Sequence, residues 1–146
     1  ASAWLADRIG RRWTMFSFGL IGALGAVIVA FSAHWETSWI IFFTGICITM
    51  GFGDGAFGIL NAFGGEQFPN DARGTGLGLG YGIGAIAKIV GPLLMGAMIG
   101  SENLKELAHP LAAVFPAFLF FAAMLVLGGF VYMLARETKG EVLEDI

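Results

Sequence analysis

Two charged residues stand where charge is costly. Asp54 lies in the middle of an apolar stretch covering 39–62, and Lys88 in the middle of another covering 74–100. A charge at the centre of a membrane helix costs about 2.5–3.5 kcal/mol on insertion scales, so such residues face a bundle interior or a watery cavity. Phe57 and Asn61 follow Asp54 at +3 and +7, one face of a helix. Tyr81 precedes Lys88 by seven residues, and Pro92 follows it by four, so that Asp54, Phe57, Asn61, Tyr81 and Lys88 are expected along a shared cavity forming the substrate and proton path. Two readings are open. A buried Asp54–Lys88 ion pair would only fix packing. Alternatively, the ammonium of Lys88 holds the anionic group of a small-molecule substrate, while Asp54 takes up and releases a proton as intramembrane carboxylates in proton relays do.

Other chemistry finds little footing, and no enzyme is expected. His34 and His109 are far apart in sequence and lack the neighbouring ligands of a metal site. Cys47, the single cysteine, sits in an apolar run with no nearby base and reads as a small buried hydrophobe. Gly51-Phe52-Gly53-Asp54-Gly55-Ala56 matches a G-x-G-x-x-A dinucleotide fingerprint. That motif needs a strand before it and an acidic residue about 20 positions later, and here it falls inside an apolar span. No metal and no organic cofactor is implied. A net charge of −3 gives phosphates no basic surface, which excludes nucleic acid as a partner.

The elements that must position Asp54 and Lys88 are legible from charge and length. The chain has 146 residues, 57% hydrophobic and only 13% charged, with 23 glycines and 14 phenylalanines. Four stretches, 13–33, 39–62, 74–100 and 111–135, hold Asp54 and Lys88 and none of the other charged residues. Each is long enough for the roughly 20 apolar residues that cross a bilayer, and none has the polar face of a soluble helix. The expected fold is all-α and transmembrane, with the lipid bilayer as its first partner. Residues 1–12 form a connection, 13–135 the four membrane-spanning helices and 136–146 a tail.

Lys and Arg set the orientation. Arg8, Arg11, Arg12, Arg73, Arg136 and Lys139 fall on one side, and only Lys105 on the other. Both ends of the chain are therefore expected in the cytoplasm, with the protein in the cell membrane. Trp13, Trp35 and Trp39 lie at the predicted interfaces, where an indole is favoured. Pro110 suits the first turn of the last helix. Pro92 and Pro116 fall inside the third and fourth stretches and should bend them. In the third stretch, glycines at 74, 76, 78, 80, 82 and 84 form two G-xxx-G rows when read as a helix. Such rows give tight helix packing, a surface on which a neighbouring helix slides, or both.

The connections carry a family resemblance. Asp7-Arg8-Ile9-Gly10-Arg11-Arg12 resembles the G-x-x-x-D-R-x-G-R-R/K signature of the major facilitator superfamily, with Ala3 at the leading glycine. Glu66-Gln67-Phe68-Pro69 through Arg73 is similar to the E-x6-R element of its sugar-porter-like branch. Arg136-Glu137-Thr138-Lys139-Gly140, then Leu143-Glu144-Asp145-Ile146, resembles that branch's PETKG ending, with Arg136 in place of proline.

The resemblance covers essentially the whole chain. It implies the last part of a twelve-helix transporter, from the connection between the eighth and ninth helices to the C-terminus. A missing N-terminal part of the same transporter would then be a partner. The initial Ala and the helix-like Ala1 to Leu5 fit this. Spans two and three would be the tenth and eleventh helices lining the central cavity, and spans one and four would be peripheral.

The resemblance further implies a cytoplasmic salt-bridge latch, closed while the transporter faces outward. Its members would be Asp7, Arg8, Arg11, Arg12, Glu66, Arg73, Glu137 and Lys139, with Asp7 near a helix N-terminus of the other half. The tenth-helix tryptophan of sugar porters is missing from the Gly51–Gly58 segment. The segment around Lys88 is closer to metabolite:proton symporters, which often carry arginine there. Proton-coupled import of a small organic acid is the expected function. A sugar facilitator or sugar:proton symporter is the alternative within the superfamily. A self-contained four-helix multidrug exporter would normally need a carboxylate in its first span, which has none, and a non-transporting remnant would be expected to lose Asp54 and Lys88.

Overall fold

A computed structural model of the chain describes residues 2–99 and 112–139. Among the described residues six α-helices run in order: α1 (Ser2–Ile9), α2 (Arg11–His34), α3 (Trp39–Ile48), α4 (Phe57–Glu66), α5 (Arg73–Ile99) and α6 (Phe115–Leu134). No strand occurs among the described residues. Four helical stretches are long and apolar enough to cross a membrane: α2, the run Trp39–Glu66 that joins α3 to α4, α5 and α6. The all-α, four-span expectation holds. The third span ends at Ile99 and the fourth begins at Phe115, so Lys105, His109 and Pro110 lie outside the described residues.

Two local readings differ from expectation, and the second span runs on as helix past residue 62 to Glu66. Residues 1–12 are more than a connection, because Ser2–Ile9 is itself a helix that breaks from α2 at Gly10, whose φ is +104°. Pro116 does not bend the fourth span. A 3-10 turn at Ala112–Val114 precedes α6, and Pro116 stands in the helix's first turn, where a missing N–H costs nothing. Pro92 lies inside α5 as expected.

The second span is interrupted at the Gly-Phe-Gly-Asp segment. A π-helical turn covers Thr49–Gly53 and a 3-10 turn Asp54–Ala56 before α4 begins. Glycines at 51, 53 and 55 disfavour a regular helix there, and a π turn adds a residue that the following turn takes out.

Helix α2 forms the centre of this part of the protein. It packs against α6 through Ala23, Ala26 and Ala122, and Met15 joins Ala6, Ile59 and Phe63 in a second cluster that ties in α1 and α4. Small residues let its backbone approach its neighbours closely. A methyl at Gly19 would lie 3.1 Å from the Leu125 carbonyl oxygen, and one at Gly25 2.8 Å from that of Gly45. These close approaches are on α2, not on the glycine rows of α5. Gly74, Gly78, Gly80, Gly82 and Gly84 have open space where a Cβ would be, and only Gly76 meets a ring, that of Phe68. No residue of α5 is buried. Tight packing by the rows thus fails within the described residues, because a small-residue spacing marks a face a backbone could approach without supplying the approaching helix.

Cys47 also departs from expectation: it is exposed rather than buried. Helix α3 buries only Gly45 along its length, so its outer face, apolar as it is, points away from α2.

Candidate functional site

A cavity of about 390 Å³ opens between α4 and α5 and is closed on one side by Tyr132 of α6. Four of the five residues expected along a substrate path line it: Phe57 and Asn61 from α4, Tyr81 and Lys88 from α5. Lys88 is the only charged residue in the lining among the described residues. The rest is mostly ring and bare backbone, with Phe68 and Tyr132 on the walls and Gly76, Gly80 and Gly84 along α5. Glycines spaced by four leave α5 flat there, so the space a row of side chains would fill is the cavity itself. The size suits a small organic molecule, and its few polar groups suit one oriented by a single charge and two or three hydrogen bonds.

Asp54 is the exception. It does not line the cavity, and it makes no ion pair with Lys88. The ion-pair reading is therefore overturned. Asp54 stands in the 3-10 turn, one turn ahead of Phe57, where the cavity lining begins. Its side chain is exposed.

Tyr132 and Phe68 were not found by reading the sequence. Tyr132 lies in the one span whose neighbours are uniformly apolar, and no spacing marks it. It also lines a smaller apolar cavity of about 180 Å³ with Met15, Gly53 and Leu125.

A second cluster gathers the charged residues at one end of the bundle. Arg11 is its hub. Its Nη1 lies 2.7 Å from Asp7 Oδ1, its Nε 3.0 Å from Glu66 Oε2 and its Nη2 3.1 Å from Glu66 Oε1, a forked contact that ties α1, α2 and α4 together. The other expected members come together without forming salt bridges. The carboxylate of Glu137 accepts the backbone N–H of Arg11 at 2.9 Å and that of Arg12 at 3.3 Å. It thereby caps α2, whose N-cap is a glycine with no side chain to do so, and a carboxylate suits the positive end of the helix dipole.

Gly10 is required twice over. Its φ is positive, and a Cβ there would lie 2.7 Å from Glu137 Oε2. Thr138 Oγ1 donates to Glu66 Oε2. Arg12 donates to the Met133 carbonyl, Arg73 Nε to the Gly65 carbonyl at 2.9 Å, and Lys139 Nζ to the Arg8 carbonyl at 2.6 Å. Each of these three carbonyls lies in the last turn of a helix, where carbonyls run short of helical partners, although that of Gly65 also accepts the Phe68 N–H at 3.4 Å. The guanidinium of Arg8 sits 4.3 Å from the ring centre of Trp4. Three cations expected to pair with carboxylates thus serve helix ends instead.

Residues 1–145 match the model of one protein family. The chain is 31% identical over 147 aligned residues to the "Niacin transporter NiaP" of Acinetobacter baylyi, which covers 100% of this chain and 30% of that protein. It is 29% identical over 145 residues to "Organic cation/carnitine transporter 7" of Arabidopsis thaliana, covering 99% of this chain and 26% of that protein. It is also 29% identical over 134 residues to the "Beta-alanine transporter" of Drosophila melanogaster, covering 92% of this chain and 19% of that protein. The chain spans less than a third of the length of these curated relatives. No solved structure matches it. Four apolar spans, the charged turn around Gly10 and a match running from residue 1 to 145 lead to one conclusion: the chain belongs to the Major Facilitator Superfamily.

Proposed function

We propose that this chain is the C-terminal part of a twelve-helix transporter in the cell membrane. It runs from the connection between the eighth and ninth helices to a cytoplasmic tail, and the whole protein imports a small organic acid with a proton by alternating access. The observation that carries the reading is the cavity between α4 and α5, in which Lys88 is the single charge. An ammonium there is a point-charge partner for a carboxylate, with Asn61 and Tyr81 as hydrogen-bonding groups and Phe57 as an apolar wall. Niacin, carnitine and beta-alanine, each named for a relative, carry a carboxylate, although the carnitine relative is named for organic cations as well. Six basic residues on one side of the membrane against one on the other support cytoplasmic ends.

Asp54 takes the proton in this reading. It is a carboxylate in mid-span, exposed on a broken helix and free of an ion pair with Lys88. Reconstituted in liposomes, the full-length transporter should accumulate a labelled monocarboxylate when the outside is acid and lose accumulation when a protonophore is added. Asp54→Asn should abolish accumulation while leaving exchange of the acid across the membrane in place. Accumulation by Asp54→Asn at the wild-type level would remove Asp54 from the proton path. The E-x6-R and PETKG-like elements favour a sugar porter as the second reading, and hexoses that compete while organic acids do not would establish it.

The charged end would be the cytoplasmic latch. Its contacts here all join elements of this chain, and so shape the surface that the N-terminal half meets. Glu66→Gln removes the charge facing Arg11, and a hydrogen bond to a charged group contributes about 1.5–3 kcal/mol. Inward opening, followed by fluorescence energy transfer between labels on the two halves, should speed up roughly tenfold. Unchanged opening kinetics would count against the latch.

A further inference from the structure

Helix α6 ends at its C-cap Ala135, whose φ of −70° and ψ of 159° are extended, and the chain continues without helix or strand through 136–138 to a turn at Lys139. Successive side chains of such a segment point to different sides, so a slip of one residue would re-aim each of them. Those sides matter here. Glu137 must face α2 to accept the N–H groups of Arg11 and Arg12, and Thr138 must face α4 to donate to Glu66. Neither contact by itself prevents a slip, because a carboxylate can accept from any N–H within reach.

The side chain of Gln67 supplies the missing constraint. Gln67 follows the last residue of α4, and its Nε2 donates to the Arg136 carbonyl at 2.9 Å while its Oε1 accepts the Arg136 N–H at 3.0 Å. A primary amide carries donor and acceptor in one plane, so it meets both backbone groups of one residue as a neighbouring strand would. Glu66 and Gln67, consecutive in sequence, therefore hold the tail at Thr138 and at Arg136, and Glu137 between them is aimed at α2.

We infer that Gln67 is the positioning residue of the charged end: it sets the register of residues 136–139 so that Glu137 caps α2. Glutamate at this position would keep the acceptor and set a second oxygen against the Arg136 carbonyl. Alanine would remove both bonds. The consequence for transport rests on the latch proposed above, whereas the positioning does not.

Amide hydrogen exchange in the full-length transporter tests it. In Gln67→Ala the amides of Arg136, Arg11 and Arg12 should exchange faster, by at least about fivefold for the loss of hydrogen bonds near 1 kcal/mol. Gln67→Glu should do the same at Arg11 and Arg12, and amides inside α2, such as Val29, should keep the wild-type rate and report an intact fold. Wild-type exchange at Arg11 and Arg12 in both variants overturns the inference.

The inward-open fraction is read on the same samples. Gln67→Ala and Glu137→Gln should raise it equally, and the double variant no further, because both act through one contact. Additive effects overturn the positioning role. If Glu137→Gln leaves the fraction at its wild-type value while exchange at Arg11 and Arg12 still rises in Gln67→Ala, the latch reading fails and the positioning role of Gln67 stands.

Discussion

Replacing Lys88 by glutamine should lower uptake of a monocarboxylate by the full-length transporter about ten- to hundredfold, the equivalent of a charged hydrogen bond worth 1.5–3 kcal/mol. The substitution leaves a polar side chain, one atom shorter, and removes the charge, which is the single charge in the cavity lining among the described residues. Folding should not suffer. Lys88 is exposed on a helix that buries nothing, and removing an ammonium from mid-span relieves an insertion cost of about 2.5–3.5 kcal/mol. Lys88→Arg should retain most of the uptake, since the charge remains and the stem reaches as far. The discriminating readout is selectivity. Wild-type protein should prefer an acid to its neutral amide in competition assays, and Lys88→Gln should lose that preference. A glutamine variant that still chooses the acid over the amide would place the anion's partner elsewhere.

Gly25→Ala should be the most damaging single methyl in the bundle. The added carbon would lie 2.6 Å from Thr49 Oγ1, 2.7 Å from the Thr49 nitrogen and 2.8 Å from the Gly45 carbonyl oxygen. Two of those atoms are backbone, so no rotamer change makes room and α2 and α3 must move apart. Overpacking of a tight core costs about 1–3 kcal/mol, and here it also disturbs the Thr49 hydroxyl bonded to Gly45 at 2.9 Å. Thermal unfolding of the full-length protein in detergent, followed by helical circular dichroism, should show a lowered midpoint. Gly82→Ala is the informative contrast within this chain, because open space surrounds the position where its methyl would go. If Gly25→Ala unfolds at the wild-type midpoint, the α2–α3 contact is not as close as described.

The four spans could be read from the chain because a bilayer imposes a simple test. Every backbone polar group must be satisfied within the segment, so an apolar run of the right length is a helix whatever surrounds it. The charged turn around Gly10, the Glu66 element and the tail were legible in the same way, as residues at fixed spacings. Facing was not legible. In a soluble helix a polar stripe marks the outer side, but lipid is as apolar as a protein core, and α2, α5 and α6 carry no such stripe. Sequence therefore could not say that α2 is central, that the glycines of α5 stand free, that Cys47 points outward or that Tyr132 closes the cavity.

Nor could it say that Asp54 and Lys88 form no ion pair or that only Lys88 lines the cavity, since hydropathy does not fix how two spans are set against each other. The charged end illustrates the same divide. Sequence assembled its members, and sign alone suggested that cations would meet carboxylates. Only in three dimensions do the helix ends come into view, and their unpaired N–H and carbonyl groups compete for the same side chains. That competition gives Glu137 to the start of α2 and Arg12, Arg73 and Lys139 to carbonyls at the ends of helices, leaving Arg11 alone with Asp7 and Glu66. Hydropathy and spacing run along the chain and are set residue by residue, whereas facing and partnership depend on how each helix is rotated about its axis against its neighbours, and that rotation is decided by packing.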